Sequence, residues 1–115
     1  MDYTVKVYEF TASLPAEEKY NLVSQLRRSV ASVPLNIAEG SAAATNVEFG
    51  RFLAYAYRSL KEGITALELC MRLYPSVCRD SIDSLIDEGN QISRMIHSLI
   101  HKIAPTQSRW PDPNS

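Results

Sequence analysis

Ile82, Leu85, Gly89, Ile92, Ile96, Leu99 and Ile103 follow one another at alternating steps of three and four residues. Val23, Leu26, Val30, Val33 and Ile37 keep the same rhythm earlier in the chain, and Phe49, Leu53, Ala56, Leu60, Ile64, Leu67, Met71 and Tyr74 recur every three or four residues between them. That spacing lines up one face of a helix. Each stripe must be covered by another element, and a seam of this period is how helices of a bundle meet. The chain is therefore expected to be all-α.

The breaks fall where helices should begin and end. Thr45-Asn46-Val47-Glu48 has the S/T-x-x-E form of a capping box ahead of the third helix. Pro15 suits the first turn of the second helix, with Glu17 and Glu18 at its positive end. Gly40 or the run Ser41–Ala44 ends that helix, Pro75 stops the third, and Asp80 or Ser81 opens the fourth, which Pro105 ends. Pro34 lies inside the second helix and removes an amide there. Because the stripe keeps phase across it, one kinked helix is preferred over two. Residues 2–12 form a short first helix on Tyr3, Val7 and Phe10. Three long helices and a short one, joined by short loops, predict an antiparallel up-and-down four-helix bundle over residues 1–103. Residues 104–115, with three prolines, are expected to be a flexible tail.

The chain has 115 residues, enough for one domain with a single core. No apolar run approaches the ~18 residues a membrane span requires, and no secretory leader is visible. Two cysteines build no disulfide framework, so a cytoplasmic setting is expected. Twelve basic and thirteen acidic residues leave a net charge of −1, with the excess of positive charge confined to the middle of the chain. That is not the concentrated charge of a dedicated nucleic-acid binder.

No glycine-rich phosphate loop, nucleophile elbow or H-E-x-x-H motif is present, and the chain is read as a non-enzyme. Cys70 reads as a small buried apolar residue and Cys78 as a loop thiol. His97 and His101 are four apart, a spacing that can share a metal, but further ligands are missing. They read as surface residues near a helix C-terminus. No cofactor, metal or small-molecule substrate is expected. Arg27 and Arg28 on the second helix, with Arg51 and Arg58 seven apart on the third, form either a solvated face or a strip for nucleic acid or protein. Asn36, Glu39, Ser59 and Glu62 read as a polar network between these two helices. Phe52, Tyr55, Tyr57 and Leu69 widen the apolar face of the third helix beyond one seam. Self-association explains such a surplus, and these four are the candidate interface.

The stretch Gln25-Leu26-Arg27-Arg28, continued by Val33-Pro34-Leu35-Asn36-Ile37-Ala38-Glu39-Gly40, resembles a bacterial family. Its type members are four-helix bundles encoded in intervening sequences of large-subunit rRNA genes. Arg51-Phe52-Leu53 and Ser59-Leu60-Lys61-Glu62 match the family's next helix, and Leu14-Pro15 with Glu18-Lys19-Tyr20-Asn21-Leu22 its approach to the second. The resemblance spans about residues 5–100. It implies a homopentameric ring of bundles, here with a shortened first helix. It also suggests kinship with the accessory variability proteins of diversity-generating retroelements, pentamers that bind a reverse transcriptase and nucleic acid. The expected role is a non-enzymatic oligomeric scaffold or adaptor binding a macromolecule. The alternative is an RNA- or DNA-binding accessory protein using Arg27, Arg28, Arg51 and Arg58.

Overall fold

The computed structural model describes residues 1–14, 19–74 and 79–104. The expectations placed on Pro15, Glu17, Glu18, Pro75, Cys78 and residues 105–115 lie outside them. Among the described residues the fold has four α-helices: α1 (Asp2–Ala12), α2 (Ser24–Ser41), α3 (Asn46–Leu73) and α4 (Arg79–Ile103). A π-helical turn, Lys19–Val23, leads into α2. No strand occurs among the described residues.

The stripes become the core. Leu26, Val30 and Val33 of α2 are buried against Leu53, Leu60, Ile64 and Leu67 of α3, and Ile82, Leu85, Ile96 and Ile100 of α4 join the same cluster. Thr45 caps α3 as its sequence predicts: its side chain is the acceptor for the Glu48 amide at 3.1 Å, satisfying one of the free donors of the first turn. Gly40 stays side-chain-free because a Cβ there would sit 2.8 Å from Cδ1 of Phe49 and 2.9 Å from Cβ of Phe52. The end of α2 and the start of α3 therefore approach more closely than any other residue would permit.

α2 runs unbroken through Pro34. The missing Pro34 amide leaves the Val30 carbonyl without its helical partner. The Thr4 hydroxyl of α1 donates to that carbonyl at 3.1 Å. α1 is thus attached at a point created by the proline. It also buries Tyr3, Val7 and Thr11, residues four apart on one face. Lys6 pairs with Glu88 of α4 at 3.3 Å, an exposed contact that contributes little to stability.

The inner face of α4 departs from the expected stripe in its second half. Ser93, Ile96, His97 and Ile100 are buried there, while Ile92 and Ile103 are half-buried and Leu99 is exposed. A straight helix turns 3.6 residues per turn, so a strict three-four stripe drifts around it.

Candidate functional site

Adjacent arginines on α2 have different fates. Successive helical residues point about 100° apart, and here one of the two faces α1. Arg27 is half-buried. Its Nε donates to Thr11 Oγ1 at 2.8 Å, its Nη2 to the Tyr8 carbonyl at 3.4 Å, and its guanidinium lies 4.9 Å from the centre of the Tyr8 ring. Arg27 therefore fastens α1 to α2 and leaves the expected binding strip.

Arg28 is exposed. It lines a groove of about 510 Å³ between α2 and α3 together with Gln25, Ser29, Lys61, Glu62 and Thr65. The Lys61 ammonium also lies 5.6 Å from the centre of the Tyr57 ring. Along α3, Arg51, Tyr55, Arg58, Glu62, Thr65 and Leu69 are all exposed. Their steps of three and four put them on one face, a strip of roughly 27 Å at the helical rise. Arg51 and Arg58 thus share that face, and Arg28 flanks it through the groove. Lys61 completes the charged cluster. It follows the phase of Arg58, and the approach of Arg28 to it was not legible in either helix alone.

The interface candidates separate in the same way. Tyr55 and Leu69 are exposed. Phe52 is half-buried, its ring edge-on to Tyr55 with centroids 6.0 Å apart. Tyr57 is a correction: it is buried within the single chain, its ring 5.7 Å from that of His97. Two residues beyond Tyr55, it is turned by about 200° toward α4.

The expected polar network between α2 and α3 is only partly formed. Ser29 Oγ donates to Glu62 Oε2 at 3.4 Å and links the two helices. Asn36 instead donates to the Ser32 carbonyl of its own helix at 2.8 Å. Glu39 is exposed and Ser59 half-buried. A carboxylate at the surface keeps its water and needs no buried partner, so Glu39 contributes no such link.

His97 also corrects the sequence reading, because it is buried rather than at the surface. His101 is exposed one turn on, the two rings 4.5 Å apart. Among the described residues no group of three or more His, Cys, Asp or Glu side chains is placed to hold a metal ion. Cys70 is buried, as expected of a small apolar residue on this helix. None of the described helices is long and apolar enough to cross a membrane.

Tyr3 of α1 carries its polar end into the interior. The Tyr3 hydroxyl has no hydrogen-bond partner and faces Gly89, where a Cβ would stand 2.6 Å from it. Burial, with the nearby Glu88 charge, pushes its pKa up to about 12.

Comparison with known proteins fits this architecture. No curated protein matches the chain. Among solved structures, it is similar to a protein with unknown function from the S23 ribosomal protein family of Bacteroides thetaiotaomicron VPI-5482. The two are 24% identical, with a TM-score of 0.76, over 86% of this chain and 92% of the other. At that identity the likeness speaks for the fold alone. Residues 1–98 match the model of the 23S rRNA-intervening sequence protein family. A match across nearly the whole bundle places the chain in that family: it is a 23S rRNA-intervening sequence protein family member.

Proposed function

We propose that the protein is a non-enzymatic oligomeric scaffold or adaptor of the cytoplasm, assembling as a ring of five copies and binding a macromolecular partner. The observation that carries this reading is the exposed face of α3, where Tyr55 and Leu69 stand among Arg51, Arg58 and Glu62. Aromatic and aliphatic side chains interspersed with arginine are the composition of protein interfaces. The test is absolute mass by light scattering after size exclusion, for the parent and for Tyr55→Glu with Leu69→Glu. The parent is expected near five chain masses and the double variant well below. A monomeric parent refutes the reading.

The cluster of Arg28 and Lys61 beside Arg58 favours a second reading, an accessory protein that binds RNA or DNA backbone. Kinship with retroelement accessory proteins belongs to this reading. Binding through phosphates falls linearly with log salt, and each lost cation lowers the slope by about one. Arg28→Ala with Arg58→Ala should weaken binding of a duplex or single-stranded RNA uniformly across sequences. Equal binding by parent and variant refutes it.

A further inference from the structure

Between α2 and α4 lies an open groove of about 690 Å³. Ile37 and Leu53 line it with Ile92, Met95 and Leu99 of α4, and Met95 is 68% exposed. The lining follows α4 from Gln91 to Lys102, about 16 Å at the helical rise. Among the described residues the charged members of that lining, Arg94 and Lys102, are both cations, about 12 Å apart along the helix. Apolar surface left open in this way marks an interface. A groove between two helices takes an amphipathic helix with its apolar side inward, and the cations here call for carboxylates at its edge.

α1 carries that chemistry on its outward side. It buries Tyr3, Val7 and Thr11 against its own bundle, while Met1, Val5 and Tyr8 are exposed on another face at steps of four and three. Asp2 and Glu9, both exposed, lie beside that stripe, about 11 Å apart along the helix. The basic side chain of α1, Lys6, is turned to Glu88. None of Asp2, Glu9, Arg94 and Lys102 forms an ion pair with another described residue. The eleven residues of α1 span about 16 Å, the length of the groove. α1 does not enter the groove of its own chain, because it is held at another level, by Thr4 on Val30 and Tyr3 against Gly89.

We propose that the outward face of α1 of one copy seats in the α2–α4 groove of a second copy, with Asp2 and Glu9 against Arg94 and Lys102. Donor and receiver are different surfaces, so the contact is heterologous and repeats from copy to copy until a ring closes. The inference rests on the ring reading above and adds a second contact to it. An eleven-residue helix falls short of the roughly 20–30 residues a side of a stable interface, so the seat works together with the α3 strip.

Charge exchange in the full chain tests the seat, with mass read by light scattering at low salt and the far-ultraviolet helix signal as the control for folding. Arg94→Glu with Lys102→Glu places carboxylates opposite Asp2 and Glu9, and the mass is expected to fall at least two-fold. Asp2→Lys with Glu9→Lys should do the same from the other side. All four changes in one chain set opposite charges against each other again at every seat, and should return the mass of the parent. That rescue separates the seat from damage to α1 itself, which substitutions in the groove could not repair. Val5→Glu and Met95→Glu, both at exposed sites, should each lower the mass as well. A parent near five chain masses that the two charge variants leave unchanged overturns the seat while the ring stands on α3. Mass lost in both charge variants and not recovered in the quadruple variant also overturns it. So does mass lost in only one of Val5→Glu and Met95→Glu, which assigns the surface that matters to a different pairing. A parent of one chain mass removes the ring and the seat together.

Discussion

Thr4 and Pro34 complement each other across two helices: the hydroxyl of the first supplies to the Val30 carbonyl the hydrogen bond that the second cannot. An internal proline is usually charged with the loss of that bond and with crowding of the same carbonyl. Here the loss is converted into a docking point for α1.

Thr4→Val should therefore destabilise the protein by about 1–3 kcal/mol, the cost of leaving a part-buried carbonyl unsatisfied. Pro34→Ala restores an amide to that carbonyl. In the double variant the Thr4→Val penalty should shrink to a few tenths of a kcal/mol, as read by urea denaturation in a double-mutant cycle. Simple additivity of the two changes would exclude this coupling.

Tyr3 offers a pH signature. Its ordinary pKa of 10.0 is raised to about 12 in the folded chain, chiefly by burial and then by Glu88. The unfolded chain loses that proton first as pH rises. The native state then holds more protons, and stability falls between about pH 10 and 12. Two units correspond to about 3 kcal/mol at most. Tyr3→Phe should abolish this part of the alkaline loss. At neutral pH it should be neutral or stabilising, because the deleted hydroxyl has no partner. Thermal melts of both proteins at pH 7 and pH 11 would check it.

Arg27→Ala and Arg28→Ala should part company. The first removes the bonds to Thr11 and Tyr8 and the ring contact, and is expected to cost about 1–3 kcal/mol. The second should stay within about 0.5 kcal/mol of the parent, as exposed substitutions do. Equal stabilities in chemical denaturation would refute the assignment of Arg27 as a clamp.

Gly40→Ala is expected to destabilise by about 1–3 kcal/mol, since the added methyl meets the Phe52 Cβ at 2.9 Å, an atom close to the backbone with little room to yield. Differential scanning calorimetry should show a lower Tm with the helix content kept.

The helices and most of the core were legible because their signals are local. Thr45 and Glu48 lie three residues apart, and the stripe from Leu53 to Leu67 needs only the helical period to be recognised. What was not legible depends on the direction of a neighbour. Arg27 and Arg28 are equivalent in sequence until α1 arrives on one side of them. Tyr57 and His97 become partners only because α3 and α4 cross at that level, which no pattern within either helix encodes. Asn36 and Glu39 looked like a network because they flank the seam, yet Asn36 found an acceptor four residues back in its own helix.

The attachment of α1 has a kinetic consequence. Its contacts close loops of 26 residues to Val30 and 82 residues to Glu88, whereas α2 and α3 meet across a short turn. Loop closure of that length is entropically dear, so the α2–α3 hairpin should form early and α1 dock last. With three buried side chains and a few polar ties, α1 is also the first unit to open in the native state. Amide exchange should show Val5 to Ala12 unprotected before any residue of α3. The bundle then behaves as a three-helix body with a detachable fourth stave.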